Sequence, residues 1–151
     1  QGLSVANGIA IARKIDEKDG YVYCLLGDGE LQEGQVWEAV MTANKYNLDN
    51  LIIFLDNNGL QIDGKIEDVK GITNIQSKFD AFGFNTIEID GHDFDEIQNA
   101  VQTAKESIDK PTAIIAKTVK GKGVSFMENQ VGWHGKAPNE EQYNISINEL
   151  M

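Results

Sequence analysis

Two stretches of this chain, Tyr21–Leu26 (Tyr-Val-Tyr-Cys-Leu-Leu) and Leu51–Leu55 (Leu-Ile-Ile-Phe-Leu), are unbroken apolar runs, each stopped by a short glycine-containing polar segment. Runs of this length without alternation read as strands buried on both faces. Between them Val36, Trp37, Val40, Met41 and Ala43 recur at near-helical spacing, which predicts a helix over about 33–46. A helix is the usual way to cross between parallel neighbours. The same grammar continues with a helix at about 74–82, a strand Asn85–Ile89, a helix at about 94–107 and a strand Ala113–Val119 after Pro111. Asp93 suits the N-cap of the 94–107 helix, with Glu96 three residues on completing a capping box. A further helix at about 3–17 precedes the first strand, and Asp19-Gly20 makes the turn between them. Residues 57–70 read as a polar loop, and the stretch 120–151 as an irregular polar loop and tail. The expected fold class is α/β, a parallel sheet with helices on both faces.

Composition narrows the partners. Acidic residues number 24 against 13 basic ones, for a formal net charge of −11. That balance argues against nucleic acid and against an anionic membrane surface. It leaves room for a phosphate ligand, provided a cation or backbone amides supply the positive charge. The 151 residues suffice for one domain with a real core. Cys24 is the single cysteine, so no intrachain disulfide can form; a reduced, buried thiol and a cytoplasmic location are expected. The chain opens Gln1-Gly2-Leu3-Ser4 directly into a helical pattern, without an initiator methionine or a signal-peptide pattern, and reads as a piece of a longer polypeptide.

In parallel α/β sheets, ligands sit beyond the carboxyl ends of the strands. That rule selects the segments 27–34, 56–64, 90–93 and 119–135. Gly27-Asp28-Gly29 closes the first strand, with a carboxylate between two residues that permit close backbone approach. Asp56-Asn57-Asn58-Gly59 closes the second. One carboxylate, one amide and one loop carbonyl form a hard-oxygen set, and Mg²⁺ held by so few carboxylates completes its shell with phosphate oxygens and water. Either motif alone is ordinary turn chemistry; paired at the ends of two buried strands, they suggest a cation bridging to a diphosphate. No Gly-x-Gly-x-x-Gly opens a helix, and no Gly-Lys-Ser/Thr is present, so neither a dinucleotide fingerprint nor a P-loop is indicated.

The fuller text of these segments resembles the transketolase family. Gly27-Asp28-Gly29, followed by Asn58 thirty residues after Asp28, is similar to the thiamine diphosphate motif. The stretch 27–39 (Gly-Asp-Gly-Glu-Leu-Gln-Glu-Gly-Gln-Val-Trp-Glu-Ala), the stretch 56–64 (Asp-Asn-Asn-Gly-Leu-Gln-Ile-Asp-Gly) and Gly132-Trp133-His134-Gly135 extend the resemblance over essentially the whole chain. It implies that residues 1–119 are the main part of a diphosphate-binding α/β domain lacking its N-terminal elements, and that 120–151 carries the Trp-His-Gly motif.

The resemblance implies Asp28 and Asn58 as side-chain ligands of Mg²⁺ or Ca²⁺, with the carbonyl of Leu60 as a third ligand. It implies Gly27, Gly29, Ile62 and His134 as cofactor contacts: Gly29 as a backbone donor to the diphosphate, Ile62 against the rings and His134 as a proton shuttle near the substrate. Glu33 and Glu38 match acidic residues buried near a dimer seam, and 58–69 matches a loop that orders over bound cofactor. The implied reaction is transfer of a two-carbon ketol unit from a ketose phosphate to an aldose phosphate in the pentose phosphate pathway. It requires a homo-oligomeric complex and a separate pyrimidine-binding domain or C-terminal subunit, so the isolated piece is expected to be inactive. Deoxyxylulose-phosphate synthase, dihydroxyacetone synthase and a non-catalytic subunit of the same fold are the rival readings. A strip around Glu33, Trp37 and Glu38 is expected to be apolar and adhesive. His92 reads as structural, and Lys117, Lys120 and Lys122 as a phosphate clamp or a solvated loop with equal weight.

Overall fold

The computed structural model describes residues 1–151. Helix α1 (Gly2–Ile15) leads to strand β1 (Val22–Gly27), then a 3-10 turn over Asp28–Gln32 and helix α2 (Gly34–Lys45). Strand β2 (Leu51–Asn57) is followed by a small antiparallel hairpin, β3 (Leu60–Gln61) and β4 (Gly64–Lys65), and by the short helix α3 (Ile66–Lys70). Helix α4 (Ile75–Ala81), strand β5 (Asn85–Asp90), helix α5 (Phe94–Lys105) and strand β6 (Thr112–Lys117) complete the alternation. A 3-10 turn (Val131–Trp133) and helix α6 (Glu140–Leu150) close the chain.

The four long strands form one parallel sheet in the order β1-β2-β6-β5. Its register pairs Gly27 with Asp56, Asp56 with Ala116, and Asp90 with Lys117. The loops that follow the four strands therefore leave one edge of the sheet, the edge where α/β proteins place ligands. No helix is long and apolar enough to cross a membrane.

Helices cover both faces. On one, Leu3, Ala6 and Ala10 of α1 and Val36, Ala39, Val40 and Ala43 of α2 pack on Cys24, Leu26, Ile53, Leu55 and Ile115, with Phe79 of α4 filling the remainder. Small residues on α1 and α2 let the helices approach closely, and the buried Asn7 donates to the Ala39 carbonyl across that contact at 2.8 Å. Trp37 lies against Phe79 and Phe82, each at 5.5 Å between ring centroids. On the other face, Ala100 and Ala104 of α5 pack on Ile52, Ile114, Ala116 and Ile89. Gly83, just past α4, holds the positive φ of +87° that ends a helix without steric cost to glycine.

Several expectations are corrected. β1 is an edge strand with one covered face: Cys24 and Leu26 are buried, whereas Tyr23 is half exposed and Leu25 is 73% exposed. An apolar run cannot distinguish an edge strand from an interior one, because both present the same side chains. Segment 57–70 is a hairpin and a short helix, closed by the Ile66 N–H donating to the Gly59 carbonyl at 2.9 Å. The tail holds an 11-residue helix. Its apolar residues are too few to form a strong stripe, and its start is set by Asn139 and Gln142, which cap each other's backbone N–H. Asp93 does cap α5, but the Glu96 carboxylate reaches the N–H of Asp90 instead of that of Asp93. Trp37 turns inward onto the core, which leaves Met41 of α2, one turn past Glu38, and Val5 and Ile9 of α1 among the exposed apolar side chains.

Candidate cofactor site

The first strand delivers Asp28 to the sheet edge. Gly27 sits opposite Asp56, and the 3-10 turn that follows folds Glu30 back so that its carboxylate accepts the Gly27 N–H at 2.7 Å. Asp28 is 2% exposed. One of its oxygens accepts the N–H of Gly29 at 2.8 Å, and the other accepts the N–H of Gly59 at 2.6 Å. Burial holds its pKa above the usual carboxylate value, with the nearby Asp56 charge adding to the effect and the Gly59 and Gly29 amides opposing it. No ammonium or guanidinium pairs with it. A buried carboxylate served only by backbone amides and facing a second carboxylate has the electrostatics of a cation ligand.

The second strand delivers Asn58. Its Oδ1 accepts the Leu60 N–H at 2.9 Å and its Nδ2 donates to Asp56 at 3.0 Å. Thr118, just past β6, donates its hydroxyl to the other oxygen of Asp56. The hairpin β3–β4 then passes over the 3-10 turn. A Cβ at Gly29 would lie 3.2 Å from the Gln61 Cβ, so glycine permits this approach. Gln32 donates to Gln61 at 2.6 Å and to the Lys70 carbonyl at 2.8 Å, which secures the hairpin.

The late motif arrives from the other side. Trp133 packs on Phe126 at 5.3 Å and donates its indole N–H to the Phe126 carbonyl at 3.0 Å, with Lys136 over its ring. This anchors His134, whose Nδ1 lies 3.4 Å from the Lys120 Nζ.

These elements enclose a cleft of about 430 Å³. Gly27 lines it from the end of β1, Asp28 and Gly29 from the 3-10 turn, Asn58, Leu60 and Ile62 from the segment after β2, and Glu33 and His134 from the α2 cap and the tail. Glu38 lies on α2 outside it, and both glutamates are exposed in this chain. Ile62, 69% exposed, forms an apolar rim. The Gly29 N–H is turned to Asp28, so here it is not directed at a diphosphate. No group of three or more His, Cys, Asp or Glu side chains clusters around a common point. The oxygen set of Asp28, Asn58 and the Leu60 carbonyl instead fits a hard cation that takes its remaining ligands from phosphate and water.

Sequence reasoning missed Asp56, Gln61 and the placement of Lys120. Of the three lysines Lys117, Lys120 and Lys122, Lys120 lines the cleft, whereas Lys117, the last residue of β6, pairs with Glu88 at 3.0 Å outside it. The β2–β6 register, which puts Asn57 beside Lys117, is the signal that brings Lys120 near Asn58. His92 accepts the Val119 N–H at 2.8 Å and so ties the β5 and β6 loops together.

The fold and this cleft define an α/β domain of the thiamine diphosphate-binding type. The profile of the transketolase thiamine diphosphate-binding domain matches residues 1–149, and the chain belongs to that family. It is 42% identical over 150 residues to the 6-deoxy-6-sulfo-D-fructose transketolase subunit SqwG of Clostridium sp. (strain MSTE9), covering 99% of this chain and 54% of that protein. It is 40% identical to an apulose-4-phosphate transketolase subunit of Phocaeicola vulgatus, covering 99% of this chain and 53% of that protein. The crystal structure of Campylobacter jejuni transketolase superimposes with a TM-score of 0.92 at 37% identity, over 98% of this chain and 24% of that one. The chain thus spans about half the length of these two relatives and about a quarter of that solved transketolase.

Proposed function

We propose that this chain supplies the cation- and diphosphate-holding half of a transketolase active site. The observation that carries the reading is the Asp28–Gly59 bond, which gathers the candidate ligands Asp28, Asn58 and Leu60 at one cleft from two adjacent strand ends. Asp28, Asn58 and the Leu60 carbonyl would hold Mg²⁺ or Ca²⁺, whose charge would offset that of a diphosphate beside this acidic chain. Thiamine diphosphate, when bound, supplies the carbanion stabilisation needed to break a bond beside a ketose carbonyl.

The protein's own groups position and protonate. Ile62 offers apolar contact to the cofactor rings, and Gly27 and Gly29 allow the diphosphate to approach the backbone. His134, at the cleft beside Lys120, exchanges protons with substrate oxygens. Glu33 at the cleft and Glu38 on α2 face the partner protomer, where they couple two active sites.

The complete protein transfers a two-carbon ketol unit from a ketose phosphate to an aldose phosphate, as in the pentose phosphate pathway, and works in the cytoplasm. It acts as a homo-oligomeric complex with a pyrimidine-binding domain or second subunit, and residues 1–151 alone have no turnover. The names of the relatives from Clostridium and Phocaeicola carry other ketoses, so a donor panel should include sulfonated and branched sugars alongside xylulose 5-phosphate. The test is a transfer assay on the complete protein with that panel. Product formation that needs both thiamine diphosphate and a divalent cation supports the reading; turnover independent of thiamine diphosphate contradicts it. A synthase-type reaction from the rival readings would appear as product from pyruvate or formaldehyde.

A further inference from the structure

Asn58 has two distinguishable ends, and both are engaged. Its Oδ1 accepts the Leu60 N–H at 2.9 Å, and its Nδ2 donates to an Asp56 oxygen at 3.0 Å. Rotating the amide by half a turn would set Oδ1 against a carboxylate and the amino group against an N–H, replacing two bonds with two repulsions. Asp56 therefore decides which atom of Asn58 faces Leu60. Oδ1 accepts one hydrogen bond, so its second lone pair stays open to a further ligand.

Asp56 is itself held in place. Its other oxygen accepts the Thr118 hydroxyl, and the Thr118 N–H donates to the Asn57 carbonyl at 3.4 Å. Thr118 is backed by Gly91, where a Cβ would lie only 2.4 Å from the Thr118 Cγ2. Three strand ends thus meet through one half-buried carboxylate that has no cationic partner.

We propose that Asp56 is a positioning residue for the cation site: it orients the Asn58 amide so that oxygen, not nitrogen, is presented to the metal, and Thr118 locks it in that role. The inference rests on the cation-site reading above. It assigns Asp56 no contact with the metal or the cofactor. Outer-shell partners that orient ligands typically change metal affinity by about 10–100-fold when removed.

The experiment is Mn²⁺ titration, followed by electron paramagnetic resonance, of the complete protein in its assembled complex at saturating thiamine diphosphate. Asp56→Ala is expected to weaken Mn²⁺ binding by about 10–100-fold. Asp56→Asn can still accept from Asn58 through its oxygen and donate to Thr118 through its nitrogen, so it should stay within about three-fold of wild type. Thr118→Val, which frees Asp56 without removing it, should lose about three- to ten-fold. Wild-type Mn²⁺ affinity in a folded Asp56→Ala protein overturns the inference. So does an Asp56→Asn protein as weak as Asp56→Ala, because charge and not orientation would then be the cause. Should Asp56→Ala fail to fold, Thr118→Val decides: weakened Mn²⁺ binding supports the inference and unchanged binding overturns it. Asp28→Ala separates this from the underlying reading. If it abolishes Mn²⁺ binding while Asp56→Ala does not, only the Asp56 inference fails; if neither matters, the cation site itself is refuted.

Discussion

The Asp28 carboxylate accepts the backbone N–H of Gly59 at 2.6 Å, joining residues 31 positions apart at the ends of two neighbouring strands. This bond makes a single site from two turns. It also gives Asp28 a structural duty besides the proposed ligation, because the loop carrying Asn58 and Leu60 hangs from it.

Asp28→Asn should therefore destabilise the fold. An amide has one oxygen, so the N–H of either Gly29 or Gly59 would face an NH₂ group. The expected loss is about 1–3 kcal/mol, read as a lower urea midpoint with unchanged slope.

Phe79 is fully buried and meets Trp37 and Phe84, each at 5.5 Å. Phe79→Ala leaves a cavity beneath α4 and should cost about 3–5 kcal/mol in a urea unfolding experiment. A loss below about 1 kcal/mol would mean that α4 is not part of the core.

Asp49 provides the pH test. Burial raises its pKa, but the Lys14 ammonium and the Asp109 N–H outweigh that, and the net shift is downward. A carboxyl with a lowered folded pKa adds stability above its unfolded value of 3.8, and that stability is lost as pH falls through the folded pKa. Thermal melts of Asp49→Asn should therefore fall below wild type at pH 6 and converge with it toward pH 3, by about 1 kcal/mol or less at this partly exposed pair.

Gly91→Ala should disturb both fold and site. Its Cβ would collide with the Thr118 methyl and approach the Ala116 Cβ at 3.0 Å. Overpacking of this kind costs about 1–3 kcal/mol by urea unfolding. Because Thr118 holds Asp56, Mn²⁺ affinity should drop as well.

The apolar runs of β1 and β2 made the parallel sheet legible in the sequence, and the polar breaks after them marked the edge that carries the site. Asp28 and Asn58 stood out because unusual residues closed both strands. Asp56 did not, since its job depends on Thr118, 62 positions away, and on a register that no local pattern encodes. Helix α6 was hidden because its polar composition carries little periodicity, leaving only the Asn139–Gln142 cap as a signal. The exposure of Leu25 depends on which face of β1 the helices cover, which is a property of the whole fold and not of the strand.

The most direct test is calorimetric titration of thiamine diphosphate into the complete assembled protein, with Mg²⁺ and then with EDTA, for wild type and for Asn58→Ala. Saturable binding that disappears in EDTA and falls at least about ten-fold in Asn58→Ala is the predicted result. Equal affinity in all of these conditions would contradict a cation held between Asp28 and Asn58.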